Sequence, residues 1–183
     1  MGDSSIINEN LTGRENYVID VGSGKAFYPK GYLNKVARRN PPIEFIGIDC
    51  VYSDSQIEKN IDSKRERIDF RKKLGRYKKG EKPRNLTLIA ADAKYLPFRK
   101  EISDLTTEFG CIKDNDIQSL REINRITKKG STVIFGSHWN NFEQHLYNEG
   151  FEIKNKKFEY YLKPRPTTFK EDVPIFTYTC EKK

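Results

Sequence analysis

The stretch Tyr17-Val18-Ile19-Asp20-Val21-Gly22-Ser23-Gly24 constrains the fold of this chain more than any other. An apolar run of strand length stops at two glycines one residue apart, a spacing that suits a sharp turn into a helix. The next apolar run, Phe45-Ile46-Gly47-Ile48, ends on an isolated acid, Asp49. A strand broken by such a turn, followed by a strand tipped with an acid, is how a chain builds a nucleotide-sized pocket at the carboxyl ends of parallel strands.

The rest of the chain continues the alternation. Residues 1–16 read as a short polar lead-in and Tyr17–Val21 as the first strand. A helix is expected from Pro29 toward Arg38 and Arg39, closed by Asn40-Pro41-Pro42. Ile43–Ile48 reads as the second strand, with a helix somewhere within Asp54–Leu74 and a mobile loop over Gly75–Asn85. Leu86–Ala90 and Ile102–Thr106 read as the third and fourth strands. Asp114 and Asp116 are helix starters, and Ile117, Leu120, Ile123 and Ile126 recur at threes along one side of a helix. Lys128-Lys129-Gly130 reads as its stop, Thr132–Phe135 as the fifth strand, and residues 139–149 as a helix ended by Gly150. Phe151–Ile153, Phe158–Leu162 and Val173–Cys180 are expected to be extended. Strands alternating with helices imply a mostly parallel α/β sheet covered on both faces. The last two strands, with no helix between them, imply an antiparallel hairpin at one edge. All 183 residues are expected to form one domain.

Composition narrows the classes. No run approaches the roughly 18 apolar residues of a membrane span, and Met1–Ser5 has the character of neither a secretory signal nor, with Ile6 where Ser or Thr is wanted, a myristoylation start. Cys50, Cys111 and Cys180 are far apart, with no CxxC and only His138 and His145 to accompany them, so neither a disulfide framework nor a metal site is expected. A reducing cytoplasm is the simplest home for such a chain. The net charge of +8 is concentrated: Lys59–Arg84 holds twelve Lys/Arg and four Asp/Glu, leaving 22 of each sign elsewhere. So focused a field suits an anionic partner such as RNA, or is a solvated surface helix.

Three glycine-rich readings compete for the turn. A phosphate loop ending at Gly24-Lys25 would need glycine at Ile19 and Ser or Thr at Ala26. A dinucleotide fingerprint would need glycine at Phe27. The third reading fits: Asp20-Val21-Gly22-Ser23-Gly24 resembles motif I of class I S-adenosylmethionine-dependent methyltransferases. Ile46-Gly47-Ile48-Asp49 resembles their second-strand acidic motif, and Ala91-Asp92-Ala93-Lys94-Tyr95-Leu96-Pro97-Phe98 their D-A-x-x-L-P-F segment. The stretch Leu120–Gly130 resembles the helix and turn before their fifth strand, and Gly150-Phe151 the opening of their sixth.

The resemblance spans roughly residues 17–180 in the correct order. It implies a Rossmann-like seven-stranded sheet, order 3-2-1-4-5-7-6, and S-adenosyl-L-methionine as cofactor. In that frame Asp20 organises the glycine turn and attracts the cofactor's ammonium. Asp49 takes the ribose hydroxyls, Asp92 accepts from the adenine amino group, and the Ala93 amide lies near the ring. Gly22, Ser23, Gly24 and Cys50 complete the expected cofactor set.

The acceptor is less legible. Asp104-Leu105-Thr106-Thr107-Glu108-Phe109-Gly110 lacks the Pro-Pro-Tyr element of amino-methylating enzymes, and Cys111 lacks the context of a C5-pyrimidine nucleophile, so it reads as a packed thiol. Glu108, expected just beyond the fourth strand at the pocket mouth, and His138, after the fifth, are the catalytic candidates; a surface acid and an idle loop histidine are the plain alternatives. Tyr28 and Trp139 are candidate mouth residues. The 36 residues between Asp49 and Leu86 form an insertion (basic over 59–84) in which Phe70 and Tyr77 are candidates to stack on bases. With so little ahead of the first strand, the pocket is expected either open to a macromolecule or closed by a second subunit, a homodimer. Three functions stay open: methyl transfer to RNA or another large anion, methyl transfer to a small molecule, and a module that binds the cofactor without catalysis.

Overall fold

A computed structural model describes residues 4–27, 31–61, 63–79, 83–109, 112, 116–137, 141–162 and 173–183. Seven strands, β1 (Tyr17–Val21), β2 (Glu44–Ile48), β3 (Leu86–Ile89), β4 (Ser103–Phe109), β5 (Thr127–Ser137), β6 (Phe151–Leu162) and β7 (Val173–Lys182), form one sheet. Its order is β3-β2-β1-β4-β5-β7-β6, as the resemblance implied. The first five strands in that order are parallel, and β7 runs antiparallel to both of its neighbours.

Among the described residues the helices are α1 (Ser4–Asn10), α2 (Tyr32–Arg39), α3 (Asp54–Asn60), α4 (Lys64–Lys78), α5 (Ile117–Ile126) and α6 (Phe142–Asn148). Alternate strand side chains serve opposite faces of the sheet. Val18 and Phe45 pack with residues of α1 to α4, including Ile7, Val36, Ile57 and Phe70. Ile19 and Val21 pack with Leu120 and Ile123 of α5 and Leu146 of α6. No described helix is long and apolar enough to cross a membrane.

Several boundaries depart from the sequence expectation. The polar lead-in contains α1, because Ile7 finds full burial against α2 and the sheet. The insertion holds two helices, and α4 runs to Lys78 rather than yielding to a loop at Gly75. Phe70, Leu74 and Tyr77 are all buried, so continued burial of that face outweighs the roughly 1 kcal/mol that an interior glycine costs a helix. The same burial corrects the stacking expectation, since neither Phe70 nor Tyr77 is presented to solvent.

α5 stops at Ile126, ahead of Lys128-Lys129-Gly130. Thr127 ends it by donating its hydroxyl to the Ile123 carbonyl at 2.7 Å and begins β5, which runs to Ser137. α2 is closed by Asn40 as expected, its N–H donating to the Val36 and Ala37 carbonyls. Asn85, also buried, spreads its amide over the carbonyls of Ala37, Asn40 and Ile43 at 2.7–3.0 Å. One side chain thus fastens the end of α2 to the starts of β2 and β3. The expected strands 151–153 and 158–162 are one strand with irregularities at Lys154 and Glu159. The β6–β7 ladder reaches Leu162↔Val173, past the last β5–β7 pair at Ser137↔Phe176. Pro174 sits in that overhang, outside the β5–β7 pairs of the described residues.

Candidate cofactor pocket

β1 delivers Asp20 and the glycine turn to the carboxyl edge of the sheet. Gly22 and Gly24 adopt φ of 74° and 46°, a region that other residues enter only with strain. The Gly22 and Ser23 amides donate to the Ile48 carbonyl at 2.7 and 2.9 Å, folding the turn back over the end of β2. Gly47 makes room for this. A Cβ there would lie 2.8 Å from Ser23 Oγ and 2.9 Å from Leu33 Cδ2.

Asp49 links the two strand ends. Its Oδ2 accepts from the Gly24 amide and its Oδ1 from the Val51 amide, each at 2.9 Å, capping a short 3-10 turn over Cys50–Tyr52. Both oxygens keep capacity for further donors. The buried Tyr52 hydroxyl braces the turn from behind, donating to the Gly24 carbonyl at 2.9 Å and meeting Ser23 Oγ at 2.7 Å.

Asp20 lies beneath the turn, fully buried. It accepts from Tyr32 Oη at 2.5 Å and Thr107 Oγ1 at 2.6 Å. Burial pushes its carboxyl from 3.8 up to about 7, the two hydrogen bonds oppose that, and the charges of Glu108 and Asp49 add to it.

β3 leads into Asp92, which is exposed and accepts from the Lys94 amide at 2.9 Å. The segment beyond is tied to α5. Glu122 accepts from the Leu96 amide at 2.8 Å, and Arg125 donates to the Leu96 and Phe98 carbonyls at 2.9 and 2.6 Å.

These elements surround a cavity of about 280 Å³. β1 lines it with Val21 and Gly22, and β2 with Ile48, Asp49 and Cys50. Ala91, Asp92, Ala93 and Lys94 line it after β3, and Asp116 and Ser119 from the start of α5. The structure therefore brings together five expected residues, Gly22, Asp49, Cys50, Asp92 and Ala93. Asp20, Ser23 and Gly24 stand behind the wall and shape it. Burial, then the Asp49 charge, raises the Cys50 thiol above its ordinary range.

Of the catalytic candidates, Glu108 lies within β4 rather than beyond it and is buried. β4 runs to Phe109 because Leu105, Thr106 and Thr107 are all buried between β1 and β5. Glu108 Oε1 accepts from the Ile112 amide at 3.1 Å, fastening the segment that leaves the strand. His138, Tyr28, Trp139 and Cys111 lie outside the described residues.

Sequence reasoning missed Tyr32, Tyr52 and Thr107 as supports and Lys94 and Ser119 as lining residues. Their partners are distant in sequence, 87 positions for Thr107 and Asp20, and no periodicity reports such pairs. Asp116 was legible only as a helix starter, and it does cap α5 by accepting from the Ser119 amide at 3.3 Å.

The chain matches no family model and no curated protein sequence. Its fold is nonetheless that of class I methyltransferases. It is similar to a structure described as a SAM-dependent methyltransferase of Methanosarcina mazei, with a TM-score of 0.66, 13% identity and coverage of 97% of this chain and 96% of that one. It is also similar to the 16S rRNA (adenine(1408)-N(1))-methyltransferase of Catenulisporales acidiphilia, with a TM-score of 0.62, 12% identity and coverage of 100% and 92%. A further neighbour is the cyclase SpnF, with a TM-score of 0.66, 16% identity and coverage of 98% and 80%. At such identities the likeness is one of fold, and the cyclase is a reminder that this fold alone does not name a reaction.

Proposed function

We propose that this chain is an S-adenosylmethionine-dependent methyltransferase that acts on RNA or another large anionic acceptor. One observation carries the cofactor reading: the glycine turn, Asp49 and Asp92 come from three successive strand ends and border a single cavity. The donor set suits a sulfonium nucleoside. Asp49 is a pure acceptor with lone pairs to spare for vicinal hydroxyls, Asp92 can take an amino group, and the backbone at Gly22 lets a ligand approach closely. The neighbours named as methyltransferases, one of them acting on 16S rRNA, support the same reading.

Such a cofactor brings its own activated methyl group, and the residues of the chain bind and orient it. Asp49 would hold the ribose, and the glycine turn, braced by Tyr52, the amino-acid end. In-line displacement then depends chiefly on alignment.

The acceptor class rests on α4. Its inner face buries Phe70, Leu74 and Tyr77, while Arg65, Lys72, Arg76 and Lys79 line the exposed side. Among the described residues no carboxylate pairs with these four cations. Lys25, next to the glycine turn, reaches Glu66 in the first turn of α4 at 3.6 Å, so the basic helix begins beside the pocket.

Calorimetry with S-adenosylmethionine and its demethylated product tests the cofactor reading, and tritium transfer over total RNA, protein extract and metabolites tests the acceptor. Asp49→Ala is expected to weaken cofactor binding by about 1.5–3 kcal/mol. Unchanged affinity in that variant refutes the assignment of Asp49. Label entering only metabolites makes the chain a small-molecule enzyme, and binding without transfer to any fraction makes it a cofactor-binding module.

A further inference from the structure

We propose that the Ser119 hydroxyl reads the purine of the bound nucleoside, donating a hydrogen bond to one of its ring nitrogens. This inference rests on the cofactor reading above. Ser119 lies in the first turn of α5, borders the cavity and is only 1% exposed. Its backbone N–H is committed to Asp116, while among the described residues its hydroxyl has no hydrogen-bond partner. A buried hydroxyl left unpaired costs roughly 1–3 kcal/mol, so native structures rarely tolerate one without a use. The common recourse of a helical serine is the carbonyl four residues earlier. At the third position of α5 Ser119 does not take it.

The position selects the ligand atom class. Ser119 lines the cavity together with Asp92, Ala93 and Lys94. Lys94 Nζ lies 3.7 Å from Asp116 Oδ2, and Gln118 Nε2 lies 3.4 Å from the Lys94 carbonyl, so the start of α5 abuts the segment after β3. An aminopurine offers one exocyclic donor and several ring nitrogens that only accept. Asp92, acceptor-only, answers the amino group. The ring nitrogens need donors, and the Ser119 hydroxyl is uncommitted. Ser119 is part of the cavity wall, and a change of side-chain rotamer would turn its hydroxyl toward a ligand there. Together the two residues select an adenine-type base over one lacking the amino group.

The test uses the full chain and S-adenosylhomocysteine, with its 1-deaza, 3-deaza and 7-deaza analogues, each of which replaces one ring nitrogen by CH. Isothermal calorimetry is expected to show the parent compound binding Ser119→Ala about fivefold to tenfold more weakly than wild type. One deaza analogue should lose the same factor on wild type and bind Ser119→Ala as the parent does. Equal affinity of the parent for both proteins overturns the inference. So does a deaza series whose losses are identical in the two. Should Ser119→Ala not fold, wild type binding all three analogues as tightly as the parent overturns it equally. Failure of wild type to bind S-adenosylhomocysteine removes the cofactor reading and this inference with it. Binding by wild type with no effect of Ser119 removes this inference alone.

Discussion

Asp20 shows how a single carboxyl group can be set by its surroundings. Thr107 and Tyr32 satisfy it, yet full burial holds its pKa near 7 rather than 3.8. The unfolded chain releases this proton near pH 4, while the folded chain keeps it to about pH 7. Asp20 therefore subtracts stability progressively as pH rises across that window and subtracts no more above it. The full effect is on the order of 4 kcal/mol. Asp104 and Glu122 act in the opposite sense. Burial tends to raise the Asp104 carboxyl, but Lys128 and the Tyr17 and Asn16 amides bring it down; Arg125 chiefly lowers Glu122. Their contributions are lost as pH falls, so the total curve mixes both signs. The difference between wild type and Asp20→Asn isolates the first. Denaturant unfolding at pH 4.5 and 7.5 is expected to show wild type losing stability relative to the variant at the higher pH, and a pH-independent difference refutes this account. The acid itself was legible from its place before the glycine turn. Its partners were not, because Tyr32 and Thr107 meet it through helix packing and strand pairing.

At the scale of elements, local pattern read the apolar cores well and the ends poorly. Strand β1 and the body of α5 stand as their spacing predicts. The ends of α4, β4 and β5 were set by what lay beside them: buried Tyr77 for α4, two flanking strands for β4, and the Thr127 hydroxyl for the start of β5. α1 escaped notice because among its described side chains the one in the core is Ile7. The charge run over 59–84 was legible in amount but not in arrangement, since only the helix separates the buried row from the basic row. Replacing Arg65, Lys72, Arg76 and Lys79 together by Gln tests that arrangement. Thermal unfolding and cofactor binding are expected to change little, because all four side chains are exposed. Binding to a single-stranded RNA should weaken, and the slope of log K against log salt should become shallower by about 3. An unchanged slope would separate α4 from any nucleic-acid role.

For the molecule as a whole, the sheet order followed from the run of motifs rather than from any one of them. The parallel half needed only the alternation of strands and helices, whereas the reversed order of β6 and β7 came from the resemblance. The structure makes β7 interior: Ile134 of β5 and Asn155 of β6 flank Thr179. Thr179→Pro is expected to cost about 3 kcal/mol or more, since it removes a ladder donor from an interior strand. Chemical denaturation should show that loss, and near-wild-type stability would contradict the pairing. The natural Pro174, by contrast, lies outside the β5–β7 pairs of the described residues.

The interior place of β7 also imposes a sequence of events on the growing polypeptide. As synthesis proceeds from amino to carboxyl end, β6 is made before the only strand that joins it to the remainder of the sheet. Until β7 follows, β6 has no seat. Until then the flank of β5 that β7 covers stays bare.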